Sequence, residues 1–393
     1  MKSNTRSNWR TAKLGEVCEI VMGQSPDGAS YNFDGRGEPL LNGPTEFGQE
    51  HPKAIQWTTT PTKFCEPGDI LFCVRGATTG RRNIADKRYC IGRGLAAIRG
   101  SATQADTKFL SFVLDVITDK LLRETAGSTF PNLPGDKLAR VEFSLPPVDE
   151  QRRIAAVLRE QMAEVERAHA AVQAQLDAAQ TLPAALLRAI FTSPAAQRWP
   201  RRKLDELCEI VARQVDPREP EYGNLPHVSG ENIVSGLCQL INIRTATEDG
   251  MISGKYLFET GDVLYSKLRP YLRKVAIAES RGLCSADMYP LRVNPKLMDA
   301  RFTAWMLLSE DFSSYAIEES QRSRMPKLNR EQLFAYEAPV PPLAEQQKIA
   351  ARLDAELAAA RALVETLETR LAEIELLPAT LLRQAFNGGC LTG

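Results

Sequence analysis

The sequence predicts an α+β protein: two mixed α/β domains joined by two long antiparallel helices that form a coiled-coil spacer. Three observations carry this prediction. The chain is written twice, each copy carries a Gly-Asp turn ahead of a short apolar run, and each copy closes on a long glycine-free stripe of helix-forming residues.

The duplication comes first because it fixes everything else. KLGEVCEIV (Lys13 to Val21) returns as KLDELCEIV (Lys203 to Val211), seven identities in nine at an offset of 190, and Trp9 and Trp199 precede them at the same spacing. EPGDILF (Glu66 to Phe72) returns as ETGDVLY (Glu259 to Tyr265) at an offset of 193. LPPVDEQRRIAAVL (Leu145 to Leu158) and LPAALLRAIF (Leu182 to Phe191) return as VPPLAEQQKIAARL (Val340 to Leu353) and LPATLLRQAF (Leu377 to Phe386), both at 195. Between these anchors the copies diverge. The segment Met22 to Gly43 has no recognisable counterpart in Ala212 to Gly230, so shared ends read as scaffold and differing middles as recognition surface.

Within a copy, Leu14, Val17, Cys18 and Val21 recur at helical spacing and predict a short opening amphipathic helix. Pro67-Gly68-Asp69 and Thr260-Gly261-Asp262 are turn signals, with Gly supplying the backbone freedom and Asp capping the turn. The runs Ile70 to Val74 and Val263 to Tyr265 that follow predict strands. A mixed domain results, bounded by Pro146-Pro147 in the first copy and Pro341-Pro342 in the second. The expected division is 1–146 and 196–341 for the two domains, with helical regions at 147–195 and 342–393.

Past each proline pair the apolar residues step by threes and fours: Ile154, Leu158, Met162, Val165, His169, Val172, Leu176, Ala179, Leu182. The second copy repeats this from Ile349, Leu353 and Leu357 to Leu377. That is a heptad seam, and two seams of one period most simply bury each other as an antiparallel coiled coil. The alternative is that each packs on its own domain. Pro183 and Pro378 predict a restart at the first turn of a shorter helix, where proline is tolerated. His169 interrupts the seam and reads as a hydrogen-bonded register device.

Composition sets the class. Of 393 residues 43% are apolar and 25% charged, as in ordinary globular proteins. No stretch approaches the length of a membrane span, which places the expected site of action in the cytoplasm with no membrane partner. Eight cysteines without a C-x-x-C pair and three scattered histidines predict small buried hydrophobes, with no metal and no cofactor. Phosphate-loop, methyl-donor and deaminase motifs are absent, so no catalytic residue is assigned. Lys plus Arg equal Asp plus Glu at 49 each, so net charge neither supports nor excludes nucleic acid.

Basic and polar residues cluster after each Gly-Asp turn: Arg75, Thr79, Arg81, Arg82 and Arg93 in the first copy, and Ser266, Lys267, Arg269, Tyr271 and Arg273 in the second. They alternate with apolar residues, which suits a strand with one face toward phosphates and base edges. A solvated basic loop has the same composition. A second pair of segments, Gly127 to Leu138 and Gln321 to Leu333, offers Ser128, Thr129, Arg322 and Arg324 as donors to phosphate or guanine.

The doubled P-P-x-x-E-Q-x-x-I-A-x-x-L motif, the L-P-x-x-L-L-R-x-x-F motif and the G-D-[IV]-L turn, in this order, resemble the specificity subunit of type I restriction-modification systems across essentially the whole chain. The resemblance implies two target-recognition domains related by pseudo-two-fold symmetry, each reading half of a bipartite asymmetric site in double-stranded DNA. It also implies partners: methyltransferase subunits, two in number, and an ATP-dependent restriction subunit. By position it assigns scaffold and docking roles to Glu150, Gln151, Ile154 and Leu158, and to Glu345, Gln346, Ile349 and Leu353. The 28 residues from Ile154 to Leu182 make roughly 42 Å of helix at about 1.5 Å per residue, against roughly 34 to 36 Å for half-sites one DNA turn apart. The rival readings are an adaptor that carries two non-DNA interaction modules on a coiled coil, and an enzyme with a degenerate site.

Overall fold

In the computed structural model, which describes residues 9–124, 132–320 and 326–386, the apolar run after each Gly-Asp turn becomes an inner strand of a four-stranded antiparallel sheet. In the first copy the order is Cys18–Met22, Leu95–Gly100, Ile70–Cys73, Arg82–Ile84. In the second it is Cys208–Ile210, Met288–Val293, Val263–Ser266, Val275–Ile277. Ile70–Cys73 and Val263–Ser266 are buried at every position, which explains why they read as continuous apolar runs rather than alternating ones.

A second, five-stranded sheet accompanies each of these, and here the copies part. Gln56–Thr58, Glu38–Leu41, Tyr89–Ile91 and Phe64–Cys65 match Arg244–Thr245, Pro226–Val228, Gly282–Cys284 and Lys255–Phe258, with the same parallel pair at the centre. The fifth strand differs. Tyr31–Asn32 lies outside Gln56–Thr58, whereas Gln214–Val215 pairs with Lys255–Phe258 at the opposite edge. Divergence between the anchors thus includes an edge strand placed on the other side of an otherwise equal sheet, which leaves the buried pairings intact, and a two-stranded pair, Ile233–Val234 with Gln239–Leu240, found among the described residues in the second copy alone.

The Gly-Asp turns are built alike. Gly68 and Gly261 both sit at φ +88°, open to glycine at no steric cost. Asp69 Oδ2 accepts from the Glu66 amide at 2.8 Å, and Asp262 Oδ2 from the Glu259 amide at 2.8 Å, so each aspartate caps its turn. Each also takes a bidentate guanidinium: Arg99 on Asp69 at 2.6 and 2.7 Å, Arg292 on Asp262 at 2.9 and 2.8 Å. These arginines stand one repeat apart and tie the turn to the neighbouring strand.

Two expectations are corrected. The opening helix is only one turn in the first copy, Leu14–Val17, and a 3-10 turn, Leu204–Glu206, in the second. Cys18–Met22 and Cys208–Ile210 continue as strands because Leu95–Gly100 and Met288–Val293 offer edges to pair with, and tertiary pairing overrides a weak local period. The prolines do not restart helices. Two helices of 44 residues each, α1 (Val148–Phe191) and α2 (Leu343–Phe386), run through Pro183 and Pro378. An internal proline costs about 3 kcal/mol. The packing of Leu186, Leu187, Ile190 and Phe191, and of their counterparts Leu381, Leu382, Ala385 and Phe386, keeps the chain helical beyond it.

The described chain forms two compact units, Met1–Ala170 with Ala372–Gly393, and Ala171–Leu371. Each combines one mixed domain with parts of both long helices. In the first, Leu158 of α1 shares a core with Phe386 of α2, while His169 Nε2 lies 3.7 Å from Glu375 Oε1. Ascending α1 therefore descends α2, and the helices are antiparallel there. Phe386 meets Phe109 with ring centroids 5.6 Å apart. In the second unit Phe191 meets Phe302, also at 5.6 Å, and Trp199, the repeated tryptophan, completes the cluster at 6.1 Å from Phe302.

Both motif glutamines are wholly buried, at 0% exposure. Gln151 Nε2 donates to the carbonyls of Pro146 (2.7 Å) and Gln104 (3.0 Å), and Oε1 accepts from the Asp106 amide at 2.8 Å. Gln346 repeats this with Pro341 (2.8 Å), Leu297 (2.9 Å) and Asp299 (2.8 Å). Each staples the start of a long helix to the loop before the helix that covers the sheet. Leu158 and Leu353 are buried in the cores, while Glu150, Ile154, Glu345 and Ile349 are half-buried.

Candidate nucleic-acid interface

The two basic stretches of each copy meet in space. Arg75 bridges Asn132, and the Leu133 amide donates to the Val74 carbonyl at 2.8 Å. In the second domain Leu268 bridges Lys327, the Arg269 amide donates to the Pro326 carbonyl at 2.8 Å, and the Leu328 amide to Lys267 at 3.0 Å. A segment far along the chain thus buttresses the loop after the central strand, in both copies, at matching positions. Ser128, Thr129, Arg322 and Arg324 lie outside the described residues.

The structure sorts the remaining predicted residues by what their side chains touch. Arg82 is turned inward: Nε donates to Ser111 Oγ at 2.7 Å and Nη2 to Asp115 Oδ2 at 2.6 Å. Thr79 is buried and its hydroxyl donates to the Gly76 carbonyl at 2.7 Å, closing the loop. Ser266 is buried against the Leu268 carbonyl. Lys267 is buried too, its ammonium donating to the Ala286 carbonyl and standing 5.0 Å from the Tyr289 ring centre; burial, with Lys327 nearby, holds its pKa below the ordinary lysine range. Arg273 donates to the Leu308 carbonyl, and burial lowers its pKa as well. Five of the ten described candidates therefore serve the domain interior: Arg82 from an edge strand, Ser266 and Lys267 at the end of the fully buried central strand, and Thr79 and Arg273 within the loops that follow it.

Arg75, Arg81 and Arg93 in the first domain, and Arg269 and Tyr271 in the second, are exposed, and no side-chain hydrogen bond or ion pair holds them among the described residues. Arg75 and Arg93 line one open cleft of about 560 Å³ with Ser25, Tyr31, Asn42, Gly76 and Gly94. The Arg93 amide donates to Ser25 Oγ at 3.3 Å, and Asn42 Nδ2 to Gln56 Oε1 at 2.9 Å. Sequence reasoning missed Ser25, Tyr31 and Asn42, whose one signal was that they fall in the divergent segment Met22 to Gly43. A cleft with two free guanidiniums, hydroxyls and an amide has the donors that phosphate and guanine edges take.

No group of three or more His, Cys, Asp or Glu side chains is placed to hold a metal among the described residues. Cys65, Cys73, Cys90, Cys208 and Cys284 are buried, Cys18 and Cys238 half-buried, and burial pushes the thiols of Cys65, Cys73, Cys208 and Cys238 up to about 12. Thiols held neutral in this way are not nucleophiles. No described helix is long and apolar enough to cross a membrane.

Comparison with known proteins bears on what such loops are for. A family model described as the type I restriction modification DNA specificity domain matches residues 6–172 and again 197–376. The chain is 27% identical over 413 residues to the type I restriction enzyme EcoDI specificity subunit of Escherichia coli, covering 97% of this chain and 88% of that one. It is 38% identical over 154 residues, 39% of this chain and 36% of the relative, to a putative type I restriction enzyme MjaX specificity subunit of Methanocaldococcus jannaschii. Its fold is similar to that of the HsdS subunit from Thermoanaerobacter tengcongensis, with a TM-score of 0.68 at 21% identity over 98% of both chains. A chain solved in work on complex assembly and conformational transition of the type I R-M system aligns with a TM-score of 0.72 at 22% identity, over 97% of this chain and 98% of that one. Since the family model matches both copies, over most of the sequence, the chain belongs to the type I restriction-modification DNA specificity family.

Proposed function

We propose that this chain is the DNA-reading subunit of a type I restriction-modification complex in the cytoplasm, non-catalytic itself. Each mixed domain reads one half of a bipartite, asymmetric site in double-stranded DNA, and the long helices set the spacing and dock two methyltransferase subunits, to which a restriction subunit joins. The observation that supports this reading best is the treatment of one loop in two copies. Its buttress and its strand are the same in both domains, while the exposed residues it presents differ, Arg75 and Arg81 in one and Arg269 and Tyr271 in the other. A common frame with unlike presented chemistry is what two different half-sites require.

The proposed domain division keeps 1–146 and 196–341 as readers and 147–195 and 342–393 as helical regions. The test is to express the chain with the methyltransferase gene beside it and sequence the host methylome. A new bipartite modified motif with an unspecified gap is expected; an unchanged methylome with both proteins soluble and associated refutes the reading.

A further inference from the structure

Four non-glycine residues among those described occupy the left-handed backbone region: Cys238, Asn242, Arg269 and Arg273. Asn accepts this conformation readily, but a long side chain with a Cβ does so at a cost. Arg269 (φ +50°) and Arg273 (φ +48°) bracket the short turn Pro270–Leu272, whose closing bonds run from the Leu272 amide to Arg269 (2.8 Å) and from Arg273 to Pro270 (2.9 Å). One repeat back, at the same offset of 193, stand Gly76 (φ +82°) and Gly80 (φ +96°), with the Thr79 amide bonded to the Gly76 carbonyl at 3.1 Å. The two loops turn to positive φ at the same two positions. The first copy meets these demands with glycine, the residue suited to them, and the second with arginine.

The two arginines differ in what offsets that cost. Arg273 spends its guanidinium on the Leu308 carbonyl inside the domain. Arg269 has no such return: it is exposed, no side-chain hydrogen bond or ion pair holds it among the described residues, and it precedes Pro270, which disfavours helical backbone further. Beside it Tyr271 is 52% exposed. At Gly76 a Cβ would meet nothing within 4 Å, so a side chain at this position of the loop projects into open space. Strain held at an exposed, unpartnered cation marks a residue retained for an external contact.

We infer that this loop position is an exchangeable DNA-contact site: Arg269 fills it in the second domain, where it grips a phosphate or a guanine edge, and Gly76 leaves it vacant in the first. The inference rests on the DNA-reading function proposed above and adds which residue carries it. Arginine at this point supplies charge and a bidentate fork, and its absence leaves the first domain to work through Arg75 and Arg93 at the adjoining cleft.

The test uses the full chain and a fluorescent mixed-sequence duplex, titrated between about 50 and 200 mM salt. Arg269→Gly is expected to weaken binding roughly fivefold or more and to lower the salt slope by about 0.9. Its melting temperature holds or rises by up to about 4 °C, because glycine relieves the left-handed backbone. Arg269→Lys keeps the charge and the slope. Gly76→Arg is expected to move everything the other way, with tighter and more salt-sensitive binding and a lower melting temperature. If the wild type binds and neither Arg269→Gly nor Gly76→Arg changes affinity or slope, the inference is overturned while the DNA-reading function stands. If the wild type shows no salt-dependent binding, both fall.

Discussion

Replacing Gln346 by alanine tests what the P-P-x-x-E-Q motif is for. The Gln346 amide is fully buried and makes three hydrogen bonds, to the carbonyls of Leu297 and Pro341 and from the amide of Asp299. A buried hydrogen bond contributes about 1 kcal/mol net, and an orphaned backbone partner costs about 1–3 kcal/mol. Three such bonds put the loss at roughly 3–5 kcal/mol, a large share of a typical stability of about 5–15 kcal/mol. At about 2–4 °C per kcal/mol for a unit of this size, the melting temperature of the second unit should fall by at least roughly 6 °C. The isosteric Gln346→Glu should be no milder at neutral pH, since a carboxylate would then face two carbonyl oxygens. The assay is urea and thermal unfolding followed by circular dichroism, with Gln151→Ala as the independent copy of the experiment. Stability within about 0.5 kcal/mol of wild type, together with weakened association with a methyltransferase subunit, would refute the reasoning: the glutamine would then be an external docking contact after all.

The same structure separates arginines that look alike in sequence. Arg82→Ala should cost about 1–3 kcal/mol by stranding Asp115 and Ser111 and leave the salt slope of DNA binding unchanged, whereas Arg75→Ala and Arg93→Ala should each lower that slope by about 0.9 at unchanged stability; the opposite pattern would reverse their roles. Brief maleimide treatment at pH 8 should leave Cys65, Cys73, Cys208 and Cys238 unmodified in the folded protein and modify them in urea, because their thiols stay protonated; equal rates in both states would contradict the burial. A fragment of residues 1–195 should self-associate, its Phe191 taking on a second copy's Phe109 the place that Phe386 holds in the full chain; a strictly monomeric, folded fragment on a sizing column would count against this.

Much of the fold is legible in the sequence because the duplication supplies its own control. Each anchor occurs twice, so the Gly-Asp turn, the strand after it and the long seam can be read from agreement between copies rather than from propensity alone. What could not be read depends on three-dimensional neighbours. Leu14 to Val21 carries a helical period, yet Leu95–Gly100 captures its second half as a strand. Pro183 reads as a helix start until Leu187 and Phe191 are seen packed on a domain that comes later in the chain. Arg75 and Arg82 share composition and context, but one faces a cleft and the other Asp115. Arg99 and Arg292 were invisible as partners of the turn aspartates because they lie 30 residues downstream.

The way the helix ends are used explains why one chain carries both copies. The mixed domain of each unit completes its core with the end of the long helix that belongs to the other copy: Phe386 from α2 in the first, Phe191 from α1 in the second. Two identical single-copy chains could make the same exchange, since Phe191 and Phe386 meet equivalent partners. Such a pair would have to present the same loop twice, and any change at the loop would appear in both halves. Fusion removes that constraint. Position 76 can be glycine while position 269 is arginine, and an edge strand can lie on one side of its sheet in one domain and on the other side in the next. Gln151 and Gln346 stay matched because each is wedged among backbone groups, and Asp69 and Asp262 because each caps its turn while an arginine of the neighbouring strand, Arg99 or Arg292, grips it. The loop and edge-strand differences lie outside these matched pieces, and the proposed reading of two unlike half-sites rests on them.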